Sequence, residues 1–146
     1  MKIKLHFWGL SLGFLLLSGC GHAMQETTLM TQSINGPIIV STTTTATGFQ
    51  LNLATQDEYP LANYQIKTSV TQTSTQTMIV IDGISEPDVH VPSFGPAIGK
   101  QSIELNSSSI ELIFKNGSKI DHYLVQKNGS TLTIQPIGTP GFTKLN

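Results

Sequence analysis

From Pro37 onward, apolar and polar residues alternate with a period of two in several short stretches. Phe49, Leu51 and Leu53 share one side of the first clear stretch, and polar or small residues occupy the other. Such alternation is typical of a β-strand with one buried face. Residues 78–84, MIVIDGI, are apolar on both sides and predict a more central strand. Further strand-like stretches are residues 38–40, 64–70, 103–105 and 110–114.

Two Asn-Gly pairs, Asn116-Gly117 and Asn128-Gly129, each lie between strand-like runs. A two-residue type I′ turn needs positive φ at both central residues, which Asn and Gly tolerate. The spacing predicts a three-stranded antiparallel meander, and a single hairpin followed by a loop is the alternative. The predicted strands are residues 109–115, 118–127 and 130–136.

Strands and turn signals at intervals of about 8–12 residues predict an all-β fold of about seven strands, arranged as a two-sheet sandwich. Residues 94–106, FGPAIGKQSIELN, and residues 110–125, IELIFKNGSKIDHYLV, resemble small immunoglobulin-like domains of bacterial envelope lipoproteins. The resemblance implies an immunoglobulin-like antiparallel β-sandwich. A small Greek-key barrel is the alternative fold.

The first twenty residues have the pattern of a secretory leader. Lys2 and Lys4 give a positive start, and residues 5–17 are mostly apolar. This apolar run is shorter than the roughly 20 residues of a transmembrane helix. Residues 17–20, LSGC, then resemble the lipobox of bacterial lipoproteins, in which Leu, a small residue and Gly or Ala precede an invariant Cys. Cys20 is the only cysteine, so it has no disulfide partner within the chain.

The lipobox resemblance implies that residues 1–19 are a signal peptide, removed by cleavage between Gly19 and Cys20. It also implies a diacylglycerol on the Cys20 thiol and an acyl chain, such as palmitate, on the new α-amino group; no other cofactor is expected. Each buried methylene contributes about 0.8 kcal/mol, so several acyl chains attach the protein stably to a bilayer. Asp after the cysteine often signals inner-membrane retention in such lipoproteins. Gly21 stands there, and the resemblance therefore favours the outer membrane.

The stretch after the cysteine differs from the rest of the chain. Residues 20–36 have no sustained period of 2 or 3.6 and predict a flexible, lipidated tether. A partly packed first strand or a short helix around Met24, Leu29 and Met30 is the alternative. Residues 37–146 form the predicted β-domain.

The composition argues against nucleic-acid binding. The formal net charge is −1, the lysines are scattered singly and Arg is absent. A nucleic-acid-binding protein usually has a clustered basic face with Arg residues that contact phosphates. We therefore expect no nucleic-acid partner.

The sequence offers little for catalysis. Nucleophilic catalysis needs Ser, Cys or Thr beside a His and an orienting carboxylate. The sequence contains no G-x-S-x-G motif, phosphate loop or Rossmann glycine pattern. His122 lies on a strand face with Ile120 and Leu124, opposite Asp121 and Tyr123, which is typical of a packed or rim histidine. We expect the protein not to be an enzyme.

One loop carries a set of residues that could bind metal. Asp82, Glu86, Asp88 and His90 lie within DGISEPDVHV, and their oxygen and imidazole groups could hold a divalent ion. Their spacing matches neither an EF-hand nor a zinc motif. A periplasmic metal-binding protein that uses residues 82–90 is the alternative function.

The leading hypothesis is a non-catalytic binding or structural module, anchored in the bilayer, that contacts an envelope protein, a glycan or a surface ligand. Loops at the ends of the sandwich or an unpaired edge strand would make the contact. Residues 85–100 form the longest predicted irregular segment. This segment contains apolar residues, and apolar side chains on an exposed loop suggest a binding role. The alternative is that Phe94 and Ile98 close the end of the core. The candidate binding residues are Val89, His90, Val91, Phe94 and Ile98.

Replacing the cysteine tests the lipobox. Cys20→Ala should abolish acylation and move the protein out of the membrane fraction, because no other thiol is present. Mass spectrometry of the N-terminal peptide and cell fractionation measure the two effects. A wild-type chain that is soluble and cleaved at another bond would contradict the prediction.

Overall fold

A computed structural model describes residues 31–146, and this part of the chain is all-β. Its nine strands are β1 (Ile38–Thr44), β2 (Gly48–Leu61), β3 (Gln65–Gln72), β4 (Gln76–Ser85), β5 (Pro92–Glu104), β6 (Ser109–Asn116), β7 (Lys119–Asn128), β8 (Thr131–Pro136) and β9 (Thr143–Leu145). The all-β prediction is confirmed. Residues 31–146 contain no helix long and apolar enough to cross a bilayer.

The strands form one sheet in the order β8-β7-β6-β4-β3-β5-β2-β1-β9, which curls into a half-barrel. This differs from the expected two separate sheets of about seven strands. Most neighbours are antiparallel, but β4–β6, β3–β5 and β1–β9 are parallel. The β3–β5 contact consists of one pair, Gln65 and Ile98. The sheet is therefore narrowest at this point, between a five-strand part and a four-strand part.

The predicted meander is confirmed, with β6, β7 and β8 pairing antiparallel. The turns, however, lie one residue later than expected. Asn116 pairs with Lys119, which leaves Gly117 and Ser118 as the central residues of the first turn. Gly117 has a φ of 59° and Gly129 a φ of 62°, and no neighbouring Asn or Ser has positive φ. This pattern fits type II′, which places Gly at the first central position, rather than type I′.

The concave side of the sheet holds the core. Phe49, Phe114 and Tyr123 are the largest side chains that are fully buried there. The rings of Phe114 and Tyr123 meet edge to face, with centroids 5.8 Å apart. Burial alternates along β7, so that Asp121, Tyr123 and Val125 face inward. The strand thus carries a carboxylate into the core.

Asp121 links β7 to the segment that leads into β9. Its carboxylate accepts hydrogen bonds from the backbone N–H groups of Gly141 at 2.6 Å, Phe142 at 3.0 Å and Thr143 at 2.8 Å. The Thr143 hydroxyl donates a fourth bond at 2.6 Å and in turn accepts one from the Tyr123 hydroxyl, also at 2.6 Å. Burial raises the pKa of Asp121, but these bonds favour the charged form and hold its pKa below the ordinary value.

A short segment, residues 32–37, crosses one end of the half-barrel from β4 to β1; we call it the strap. The backbone groups of Gln32 and Ile84 bond in both directions at 2.9 Å. Ile34 is buried in the core, and the Asn116 amide donates to its carbonyl at 2.9 Å. Gly83 is required beside the strap, because its φ is 128° and a Cβ there would lie 2.7 Å from the Gln32 carbonyl oxygen. Contacts with the sheet therefore begin inside the stretch that the sequence assigns to the tether.

The strap defines the two ends of the half-barrel. The strap end carries the loops 62–64, 86–91, 117–118 and 137–142. The opposite end carries the loops 45–47, 73–75, 105–108 and 129–130, which contain no charged residue.

Replacing the buried carboxylate should weaken the whole fold. Asp121→Asn should lower the free energy of unfolding by about 2–4 kcal/mol, because an amide group leaves buried N–H donors without an acceptor. Urea denaturation measures the change. Asp88→Asn is the matched control: that side chain is exposed, and its change should stay within about 0.5 kcal/mol.

The stability difference between the wild type and Asp121→Asn should depend on pH. Because folding lowers the pKa of Asp121, its ionised form stabilises the folded protein above the ordinary carboxyl pKa of about 4. That contribution is lost as the pH falls through the lower, folded-state pKa. The difference in stability between the wild type and Asp121→Asn should therefore narrow with acidification, and a constant difference would contradict the assigned role.

Candidate binding surface at the strap end

The ribbon formed by the end of β2 and the start of β5 extends past the first residue of β3. Tyr59 pairs with Gly95 and Leu61 with Pro92 in this ribbon, and the register shifts before and after Tyr59. Ala97 is buried and its N–H donates to the Thr55 hydroxyl at 2.9 Å. Because alternate residues face opposite sides, burial of Ala97 turns its even-numbered neighbours outward.

The five candidate binding residues are all exposed. Phe94 has 75% of its surface accessible and Val89 has 70%. Ile98 is 49% exposed, so neither it nor Phe94 closes the end of the core. Val91 and His90 are exposed as well. The structure therefore places these side chains on an outward-facing loop and ribbon.

Tyr64 fixes the base of this loop. Its ring is buried and stacks at a tilt against Tyr59, with centroids 5.1 Å apart. Its hydroxyl donates to a Glu86 carboxylate oxygen at 3.2 Å. Burial and the nearby Glu86 charge raise the pKa of Tyr64, which keeps the hydroxyl protonated as a donor. One backbone bond, from the Ala62 N–H to the Val91 carbonyl at 3.0 Å, completes the attachment.

The proposed metal ligands are not gathered into one site. The Glu86 carboxylate lies 3.9 Å from His90 Nε2, and both side chains are largely exposed. Asp82 instead accepts a hydrogen bond from the Ser69 hydroxyl at 2.6 Å, and Asp88 is exposed in the loop. Among residues 31–146, no three His, Cys, Asp or Glu side chains form a group that could hold a metal ion.

The hydrogen-bond partner of His122 lies on the neighbouring strand β6, so the sequence of β7 does not predict it. Its Nδ1 lies 2.7 Å from a Glu111 carboxylate oxygen, and the Gln76 amide donates to the other oxygen at 2.9 Å. The bonds from Gln76 and His122 lower the pKa of Glu111. The three side chains form a polar row on the outer face of β4, β6 and β7. The parallel β4–β6 pairing creates this row, and no local pattern predicts that pairing.

A second surface, which the sequence analysis missed, lies where the two edges of the half-barrel face each other. A cleft of about 200 Å³ separates β8 from β1 and β9. Its lining consists of Val40, Thr42, Leu132, Ile134, Leu145 and Asn146. Leu132 and Ile134 alternate with polar residues in β8, and this alternation was a usable signal for an apolar face there. Both side chains are only partly covered. We call this surface the edge cleft.

No family model, curated protein or solved structure matches the chain. The lipid-attachment residue Cys20 and the cleavage position at Gly19 lie outside the described residues. Assignment of function therefore depends on the chemistry of the residues themselves.

A pair of phenylalanine substitutions tests the exposure of the loop. Phe94→Ala should change the free energy of unfolding by no more than about 0.5 kcal/mol, because its ring lies on the surface. Phe114→Ala, which removes a fully buried ring, should cost about 3–5 kcal/mol. Chemical denaturation of both variants measures the contrast. Similar losses in the two variants would mean that Phe94 packs in the core.

Proposed function

We propose that the protein is a lipid-anchored lipoprotein of the bacterial envelope. It acts as a non-catalytic binding module that takes up an extended segment of another envelope protein. The lipobox supports the anchor. The edge cleft supports the mode of binding, because it is bordered by strand edges with unpaired backbone groups. A strand that enters such a cleft gains main-chain hydrogen bonds, and pockets for alternate side chains provide selectivity.

The β8 side of the cleft offers free donors and acceptors. Within residues 31–146, β8 pairs only with β7. The Ile137 N–H bonds back to the His122 carbonyl at 2.8 Å, which fixes the odd-numbered residues as those that bond to β7. In an antiparallel ladder, the alternate residues turn their backbone groups away from the partner strand. Leu132 and Ile134 therefore direct their N–H and C=O groups toward the cleft.

The β1 side offers a matching edge. β9 covers only Ile38, Ile39 and Val40. The Asn146 N–H bonds to the Val40 carbonyl at 3.0 Å, so the even-numbered residues of β1 face β9. The next residue of this set, Thr42, lies beyond the covered part. Its backbone groups are available to an added strand.

The chemistry of both edges favours strand addition. Proteins commonly protect free strand edges with Lys, inward-facing charges or bulges. β8 and residues 41–44 of β1 contain no charged residue. Pro136, at the end of β8, limits the length of the open edge because it has no N–H. The ligand that fits is an uncharged, extended peptide segment with apolar residues at alternate positions.

An immunoglobulin-like sandwich remains our proposal for the finer architecture. Beyond the single Gln65–Ile98 pair, β3 and β5 border a cavity of about 440 Å³. A split there would leave the five-strand part and the four-strand part as two facing sheets. The single core cluster, which has members in both parts, supports this arrangement.

Photo-cross-linking in cells tests the binding mode. A photoreactive amino acid at Leu132 should cross-link to a partner protein when the edge cleft is occupied. Thr42→Pro should abolish that cross-link, because it removes one cleft-facing N–H group while leaving the β1–β2 ladder bonds in place.

Thr42→Val is the matched control, since it removes the hydroxyl and keeps the backbone N–H. Its cross-link should persist. Equal yields from both variants would contradict strand addition, and so would loss of the cross-link in both.

A further inference from the structure

Exposed apolar side chains are concentrated at one end of the described domain. Seven large hydrophobic residues are markedly exposed among residues 31–146. Six lie at the strap end: Val89, Val91, Phe94, Ile98, Ile120 and Ile137. The remaining one, Leu145, is the last residue of β9 and lines the edge cleft.

The opposite end has a different character. Its loops are built from Thr, Ser, Asn, Ala and Gly, apart from Leu105, which packs against the core. Neighbouring loops there bond to one another, as the Ser107 hydroxyl does to the Ser74 carbonyl at 3.2 Å. This polar end suits contact with water, whereas the strap end presents separate apolar groups around its rim.

The chain from the lipid anchor enters at the apolar end. Gln32 is bonded to Ile84, and the candidate loop begins two residues later at Glu86. Cys20 precedes Gln32 by twelve residues, so the distance between them cannot exceed about 43 Å. An anchor at Cys20 therefore attaches through the strap end, which favours an orientation with that end toward the bilayer.

The loop is well suited to contact with the interfacial region of a membrane. Pro87 and Pro92 restrict its backbone, and Tyr64 holds its base, so little further order is needed on docking. Transfer of valine and phenylalanine side chains from water to an apolar medium is favourable. The anchor makes that contact intramolecular and so raises its effective concentration.

We propose that the strap end docks against the bilayer and inserts Val89, Val91 and Phe94 into its interfacial region. This inference rests on the proposed lipid anchor and adds an orientation to it. Docking turns the polar end away from the membrane. Because Glu86 and Asp88 flank the apolar groups, the ligand is a zwitterionic lipid surface rather than an anionic one.

The single cysteine makes a site-specific test available. Acylation consumes the Cys20 thiol, so a cysteine introduced elsewhere is the only one that reacts with a fluorophore. The full-length lipidated protein carries either Val89→Cys, in the apolar loop, or Ser74→Cys, exposed at the polar end. Each is labelled and placed in pure phosphatidylcholine–phosphatidylethanolamine vesicles that contain a quencher attached to the lipid acyl chains.

Docking predicts strong quenching of the label at position 89 and none at position 74. Adding Phe94→Ser to Val89→Cys should reduce the quenching while the protein still floats with the vesicles. Equal quenching at positions 89 and 74, with the protein still floating, overturns the docking and leaves the anchor intact. Protein that stays in solution and retains a reactive Cys20 thiol overturns both the anchor and the docking.

Discussion

A buried carboxylate joins two strands that lie far apart in the hydrogen-bonded strand order. β9 contributes only three residues and three pairs to the sheet, which is too little to hold the C-terminal segment in place. Asp121 satisfies three consecutive backbone N–H groups of that segment, and Tyr123 adds a bond through Thr143. We expect the curl of the sheet, the shielding of the core and the position of the edge cleft to depend on this link.

Local sequence patterns predicted the features that depend on residues close together in the chain, namely the strands and turns of the meander. Alternation and the Asn-Gly pairs located the meander to within a residue, and the turn type differed because Gly, rather than Asn, occupies the first central position. The link through Asp121 could not be predicted in this way, since it joins residues 20 to 22 positions apart through a loop without periodicity. The strap was missed for the same reason: Ile34 is the only large apolar residue of its stretch, and its burial depends on distant strands.

The two candidate surfaces differ in how far the sequence could reveal them. Prolines beside valine and phenylalanine indicated a loop with apolar side chains. The exposure of Phe94 and Ile98 follows from the inward orientation of Ala97. The edge cleft depends on which strands end the sheet, a property of the whole strand order. The presence of β9 and its parallel pairing with β1 decide that order, and a three-residue strand leaves no recognisable period.

The strap also determines how the domain would bear mechanical load. Tension from an anchored N-terminus reaches the two Gln32–Ile84 bonds first, and these can separate one after the other. Behind them lies β1, which begins at the strap end and pairs along its length with β2. A pull along the axis of β1 shears seven residue pairs at once rather than opening them in succession. The strap would therefore separate from β4 at a lower force than β1 separates from β2, so that force would detach the strap while the core stays folded.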